Sequence, residues 1–147
     1  MTAFSADSLR STFSGSILVD GDEGFARFPF AVGAPSVVVR PDTVDDVTSA
    51  LLFARQNGLA VTVRSGGHSG GAWTTVAGGL VLDMSGFADI EVDGEFVTVG
   101  TGSTWGAVAD ALAPHSLAIS SGDTRSVGVG GLTLGERQRQ HAHPDPA

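Results

Sequence analysis

The 147-residue chain contains no cysteine and no tyrosine, and all eight of its basic residues are arginine. The absence of cysteine excludes a disulfide framework, a thiolate zinc site and a cysteine nucleophile. The absence of tyrosine removes one of the common acids and bases from which a catalytic site can be built.

Positive charge is scarce as well. The net charge of −8 argues against nucleic acid and anionic membranes as partners, because both bind a basic face. No apolar run approaches the length of a membrane span, and the N-terminus lacks the basic and apolar segments of a secretory signal. The sequence therefore predicts a single domain in the cytoplasm.

Glycine, in contrast, is abundant: 21 residues, about twice the usual share of roughly 7%. Two glycine pairs flank a histidine in Arg64-Ser-Gly-Gly-His-Ser-Gly-Gly71, directly after the apolar segment 59–63. We expect this loop to follow a buried strand, where glycine can turn successive backbone N–H groups toward an anion such as a phosphate. From the glycines alone, a plain surface turn is an equally good interpretation.

Apolar patterning and turn residues predict an α+β fold. Strands are expected at 16–19, 36–40, 60–63, 79–83 and 117–119, with a hairpin over 90–99 around Asp93-Gly94. The second and third strands are separated by the length of a helix, as in a parallel β-α-β crossover. The glycine loop would then leave the carboxyl end of a strand, where ligands bind in α/β sheets.

Three helices are expected, at 5–14, after Thr43, and at 104–113. Thr43 and Asp46 form an aspartate variant of the capping box, and Ser103 or Thr101 is the expected cap of the last helix. The buried face of the helix after Thr43 is expected to carry Val44, Val47, Leu51 and Ala54.

Further motifs accompany the glycine loop: segment 37–47 and segment 79–85 on either side, then Gly100-Thr-Gly-Ser-Thr-Trp105 and segment 127–135. In order and spacing they resemble the vanillyl-alcohol oxidase and p-cresol methylhydroxylase family, in its berberine-bridge-enzyme-like and 6-hydroxynicotine-oxidase-like branch. The resemblance implies a PCMH-type FAD-binding domain at 35–135, with an N-terminal β-α-β subdomain and the start of a second α+β subdomain. Residues 1–34 would form an N-terminal extension and entry segment.

In that family the loop amides surround the FAD pyrophosphate, and the loop histidine is bonded covalently to the flavin ring methyl. The matching residue is His68, and a neutral imidazole is the nucleophile that such a bond needs. A histidine bonded only to the backbone is the alternative. Some relatives carry a second, cysteinyl link, but this chain has Thr124 at that position, so only a single link is expected. The cofactor-binding residues that the resemblance implies are Arg64, Ser65, Gly66, Gly67, His68, Ser69, Gly100, Thr101, Gly102, Thr104, Gly122, Val127, Gly128, Gly131 and Leu132.

The family's reaction is the oxidation of an alcohol, an amine or a sugar hydroxyl, with electrons passed to oxygen. The family pattern breaks after Gly135, which we interpret as a C-terminal truncation, and we expect the tail 136–147 to be disordered. No metal site is expected at His141 and His143 in that tail. No catalytic residue can be named, because Asp83 and Asp123 are expected to cap turns.

Two functions therefore remain open. The chain is the FAD-binding part of a flavin-dependent oxidoreductase that acts on a small-molecule substrate, inactive by itself. Alternatively, it is a non-catalytic remnant that binds FAD weakly or serves only as a folded interaction domain. An incomplete domain would also expose apolar surface, which favours self-association.

Overall fold

The computed structural model describes residues 6–25, 33–69 and 75–135. Its main sheet has four strands in the order β1-β2-β4-β3, namely Ser16–Leu18 (β1), Val37–Arg40 (β2), Val61–Arg64 (β3) and Leu80–Asp83 (β4). The first strand is antiparallel to the second, whereas β2, β4 and β3 run parallel. The predicted crossover from β2 to β3 is present, and β4 lies between its two strands.

Helix α1 (Asp7–Arg10) is shorter than the helix predicted at 5–14, and helix α2 (Val44–Gln56) begins after Thr43 as predicted. Both helices cover one face of this sheet. All four residues of β4 are buried, as expected for a parallel strand that is covered on both faces. The core beneath the helices consists of Leu9, Ile17, Val37, Val39, Ala50, Phe53, Ala54, Leu80 and Leu82. A smaller cluster on the other face contains Phe25, Val38 and Val81. Leu9, Ile17 and Phe25 therefore pack against the strands that follow them in the sequence.

The predicted buried face of α2 is wrong in part. Val44 is 71% exposed and Leu51 is 46% exposed, whereas Ala50, Phe53 and Ala54 face the sheet. The prediction followed the apolar spacing of positions 44, 47, 51 and 54 along the helix. The helix is instead rotated toward a buried polar anchor at its first turn, which is Asp46.

The second unit is a hairpin with a helix packed against it, so the α+β class is confirmed. Strands β5 (Ile90–Asp93) and β6 (Phe96–Val99) pair antiparallel around Gly94, which has a φ of +59°. Helix α3 (Trp105–Leu112) buries Val108 and Leu112 against this hairpin and against Val129, at the start of α4 (Val129–Gly135).

Two predictions in this unit are wrong. The cap of α3 is Thr104, whose hydroxyl accepts a hydrogen bond from the Ala107 amide at 3.3 Å. Ser103 is not the cap because the helix begins at Trp105, so that Thr104 is the residue directly before its first turn. Residues 117–119 form no strand, since the chain leaves the left-handed residue Ser116 in an irregular path. None of the helices in the described part of the chain combines the length and the hydrophobicity needed to cross a membrane.

The capping box predicted at the start of α2 is present and extends beyond the helix. Asp46 Oδ2 accepts hydrogen bonds from the amides of Asp42 and Thr43, both at 3.0 Å, and Oδ1 accepts one from the Ser14 amide at 2.8 Å. Burial disfavours the ionised carboxylate, but these hydrogen bonds outweigh it and lower the pKa of Asp46. The carboxylate thus ties the loop before β1 to the start of α2.

Replacing Asp46 with Asn should lower the free energy of unfolding at pH 7 by about 1 to 3 kcal/mol, because an amide accepts these hydrogen bonds more weakly. Since folding lowers the pKa of Asp46, the advantage of the wild type is present above the ordinary value of 3.8. It is lost as the pH falls through the lower pKa of the folded state.

Urea unfolding at neutral and at strongly acidic pH measures this difference. Asp45→Asn is the matched control, because Asp45 carries the same charge in the same helical turn but is exposed. Equal losses in the two variants would contradict the anchoring role of Asp46.

Candidate functional site

The glycine loop, Ser65–Ser69, leaves the carboxyl end of β3 as predicted. Gly67 is buried and has a φ of +74°, a conformation that other residues adopt only with strain. Within the described ranges, the backbone amides of Gly66, Gly67, His68 and Ser69 have no hydrogen-bond acceptor. Successive N–H groups without an acceptor can bind an anion, so this loop is suited to a phosphate-bearing ligand.

Two later segments meet this loop, and they run side by side. Ser65 Oγ donates a hydrogen bond to the Thr101 carbonyl at 2.6 Å. The Trp105 amide donates to the Val127 carbonyl at 3.0 Å, and the Val129 amide donates to the Ser103 carbonyl at 2.9 Å. The sequence motifs around residues 65, 103 and 127 therefore converge in space.

The closest approach is between two glycines, Gly66 and Gly128. A methyl group on Gly66 would lie 2.8 Å from the Gly128 Cα atom and closer still to its amide nitrogen. A methyl group on Gly128 would meet the Gly66 backbone and the Ser65 hydroxyl in the same way. The two backbones touch directly, so both positions exclude any side chain.

A cavity of about 270 Å³ opens where these segments meet. The loop and α4 form its opposite walls, and Val63, Val127 and Leu132 supply apolar surface. Its remaining lining residues are Ser65, Gly66, Gly67, His68, Ser69, Gly128, Gly131 and Gly135.

His68 is exposed at this cavity, and one of its ring nitrogens contacts the segment that precedes α4. The Ser126 hydroxyl oxygen lies 2.8 Å from His68 Nε2. Within the described part of the chain, the other ring nitrogen, Nδ1, makes no hydrogen bond. The contact therefore fixes one ring nitrogen and leaves the second for another partner.

A buried carboxylate supports the loop from the sheet. Asp83 is 0% exposed, and its Oδ2 atom accepts hydrogen bonds from Arg40 at 3.0 Å and from Arg64 at 3.2 Å. Its Oδ1 atom accepts a bond from the Ser85 amide at 3.1 Å, so Asp83 caps a turn as predicted. The Arg64 guanidinium reaches Gly67, where an added methyl group would lie 2.9 Å from Arg64 Nε. Two guanidinium groups and one carboxylate leave one net positive charge beside the loop.

The predicted site residues fall into two groups. Ser65, Gly66, Gly67, His68, Ser69, Val127, Gly128, Gly131 and Leu132 line the cavity. Arg64, Gly100, Thr101, Gly102, Thr104 and Gly122 do not line it.

Several residues of the second group instead stabilise the backbone near the site. Gly100 and Gly102 press against the backbone of Phe87 and Met84, and Thr104 caps α3. Gly122, with a φ of +84°, lies in an open turn with space around its Cα atom. Asp123, which was expected to cap a turn, accepts a hydrogen bond from the side chain of Thr124, at 3.1 Å.

Val63, Ser126 and Gly135 were not among the expected cofactor contacts, although Gly135 ends the glycine motif 127–135. Val63 is the last apolar residue of β3 before the loop, and its 61% exposure shows that it faces outward rather than into the core. Ser126 contacts His68 across 58 residues of sequence, which no local pattern reports.

A glycine loop at a strand end, with adjacent unpaired amides beside a guanidinium, is typical of domains that bind a phosphate-bearing cofactor. The chain belongs to the FAD binding domain family, whose sequence model matches residues 35–143. The family resemblance seen in the sequence, the PCMH-type fold and the FAD cofactor are therefore confirmed.

Relatives of known sequence agree with this membership. The chain is 33% identical over 137 residues to the FAD-linked oxidoreductase hasG of Aspergillus fumigatus. The aligned residues cover 88% of this chain and 29% of that protein. It is 35% identical over 102 residues to (R)-6-hydroxynicotine oxidase of Paenarthrobacter nicotinovorans. Here the aligned residues cover 68% of this chain and 22% of that protein. The chain thus spans less than a third of the length of either relative.

Solved structures show the same fold. The structure of 6-hydroxy-D-nicotine oxidase from Arthrobacter nicotinovorans superposes with a TM-score of 0.78 at 31% identity, over 82% of this chain and 28% of that one. The Physcomitrella patens BBE-like 1 protein superposes with a TM-score of 0.83 at 28% identity, over 90% of this chain and 31% of that one.

The geometry of the cavity fits part of FAD. The unpaired amides of residues 66–69 suit a pyrophosphate, and the apolar wall formed by Val63, Val127 and Leu132 suits an aromatic ring system. At about 270 Å³ the cavity is smaller than pockets that enclose a whole drug-sized ligand, which measure roughly 300 to 1,000 Å³. Its volume therefore suits a portion of a ligand of that size rather than all of it.

Gly128→Ala should destabilise the protein in the absence of any ligand, by about 1 to 3 kcal/mol, because the new methyl group forces the two backbones apart. Gly131→Ala is the matched control. It lies in α4 with open space around its Cα atom, so alanine should be neutral there or stabilise the helix by up to about 1 kcal/mol.

Urea unfolding without FAD distinguishes the two variants. If Gly128→Ala were as stable as the wild type, the contact between Gly66 and Gly128 would not be what joins the two segments.

Proposed function

We propose that this chain is the FAD-binding part of an oxidoreductase in which the flavin is attached covalently to His68. The main supporting observation is that His68 opens onto the same cavity as the adjacent unpaired amides of the glycine loop. The loop would hold the pyrophosphate and would bring the flavin ring methyl to the imidazole. The flavin, once bound, supplies the acceptor for the hydride or electrons of the substrate.

The attachment requires a ring nitrogen with an available lone pair. Because Nε2 of His68 contacts Ser126, Nδ1 is the nitrogen that we assign to the bond. The loop residues 66–69 would hold the cofactor, and His68 Nδ1 would supply the electron pair of the bond to the ring methyl. The two hydrogens and two electrons released, one hydrogen from the methyl group and one from the imidazole, would be taken up by dioxygen as hydrogen peroxide. We further propose that the expected cofactor contacts in the glycine loop and in the segment 127–132 bind FAD.

Arg64 has a different role here from that of a direct phosphate ligand. Its guanidinium pairs with Asp83 and lies against Gly67, outside the cavity lining. From there it contributes positive charge behind the amides and holds the loop in shape. Both effects favour a bound pyrophosphate.

The substrate class is a further part of the proposal. We infer oxidation of an alcohol, an amine or a sugar hydroxyl, with oxygen as the electron acceptor. One relative is named as an oxidase of (R)-6-hydroxynicotine, and another only as an FAD-linked oxidoreductase. The described residues place no second titratable side chain on the cavity beside His68, so the substrate contacts are assigned to the complete oxidoreductase.

His68→Ala should abolish covalent flavin while leaving the fold intact, because the side chain is exposed. The measurement is flavin fluorescence that survives acid precipitation and a denaturing gel after incubation of the whole chain with FAD in air. His115→Ala is the matched control, since His115 is also exposed but lies after α3, away from the cavity. Fluorescence retained in His68→Ala would sink the assignment.

Reversible binding of FAD has a separate test at the opposite wall. Gly131→Leu adds a side chain to a position that lines the cavity and has open space around it. We expect the FAD dissociation constant to rise at least about tenfold, measured by flavin fluorescence titration of the His68→Ala background. The free energy of unfolding should change by less than about 1 kcal/mol. An unchanged affinity would show that FAD does not occupy this cavity.

A further inference from the structure

We propose that Ser126 is a positioning residue for His68: it accepts a hydrogen bond from Nε2–H and so presents Nδ1 with its lone pair available. This inference rests on the covalent attachment proposed above and adds the residue that prepares it. Its basis is the 2.8 Å contact between Ser126 Oγ and His68 Nε2.

The contact can exist in two protonation patterns, and they have opposite consequences. If the serine hydroxyl donated to Nε2, the neutral ring would carry its proton on Nδ1, and that nitrogen could not act as a nucleophile. If Nε2–H donates to the serine oxygen, Nδ1 keeps its lone pair. Only the second pattern is compatible with attachment at Nδ1.

The same hydrogen bond favours the attachment step itself. Positive charge develops on the imidazole as the Nδ1–C bond forms, and the hydrogen that the ring must release is the one on Nε2. An oxygen acceptor at Nε2 stabilises that charge and orients the ring, as a carboxylate or carbonyl does behind other reactive histidines.

The backbone around Ser126 keeps its hydroxyl in place. On one side, the Val127 amide donates to the Thr124 carbonyl at 3.2 Å and closes a turn. On the other side, Gly128 presses on Gly66, in the same loop as His68. The hydroxyl and the imidazole are therefore carried by two segments whose separation is fixed by a backbone contact two residues from each.

The test compares the whole chain with Ser126→Ala, Ser126→Thr and Thr124→Ala. Each protein is incubated with saturating FAD in air, and acid-stable flavin is followed over time. We expect Ser126→Ala to slow the covalent incorporation at least about tenfold, with less than about a threefold change in the initial dissociation constant of FAD. Ser126→Thr retains the hydroxyl and should restore most of the rate. Thr124→Ala should match the wild type, because its exposed hydroxyl bonds only to Asp123 among the described residues.

A second measurement does not involve the loaded protein. Nitrogen-15 NMR of the His68 ring in the FAD-free wild type should show the neutral form protonated on Nε2. A ring protonated on Nδ1 would overturn the role of Ser126.

The outcomes separate the two proposals. A wild type that binds FAD but never links it overturns the attachment itself. A wild type that links FAD, together with a Ser126→Ala variant that links it at the same rate, overturns the role of Ser126 alone. If Ser126→Ala failed to fold, a Ser126→Thr variant with the wild-type rate would still support the hydroxyl, and a slow one would contradict it.

Discussion

The site depends on the contact between two stretches of backbone at Gly66 and Gly128. Hydrogen bonds and side-chain packing can be adjusted by small movements, but two stretches of backbone this close leave no room for even a methyl group between them. This contact brings together the loop after β3 and the start of α4, which are separated by about sixty residues of sequence. The cavity, its apolar wall and the pairing of His68 with Ser126 all follow from that approach.

Charge supports the loop from within the sheet. Asp83 would be costly to bury alone, but it receives hydrogen bonds from Arg40, Arg64 and the Ser85 amide. Because the two arginines end β2 and β3, the carboxylate at the end of β4 links all three parallel strands at the edge where the loop begins. The rigid sheet thus fixes the loop both covalently and electrostatically.

Much of this arrangement could be predicted because it is encoded locally. The β-branched runs gave the strands, the Thr43 and Asp46 pair gave the start of α2, and the glycine motifs gave most of the cavity lining. The buried face of α2 was predicted only in part, because Asp46 lies on that face and accepts a hydrogen bond from the Ser14 amide, a partner 32 residues away. The contact of Ser126 with His68 could not be predicted for the same reason: the two residues are far apart in the sequence, and no local pattern indicates that they pair.

The sheet order has a consequence for the assembly of the domain during synthesis. In sequence, β2 and β3 are made before β4, yet in space β4 separates them, so the two earlier strands have no native partner in each other. Their register relative to each other is set only when residues 80–83 arrive and pair with both. The glycine loop lies on the chain between β3 and β4, and its guanidinium support needs Asp83 from β4. A growing chain therefore carries the complete cofactor loop before it can give that loop its shape, and the last strand inserted into the parallel sheet is the one that prepares the cofactor site.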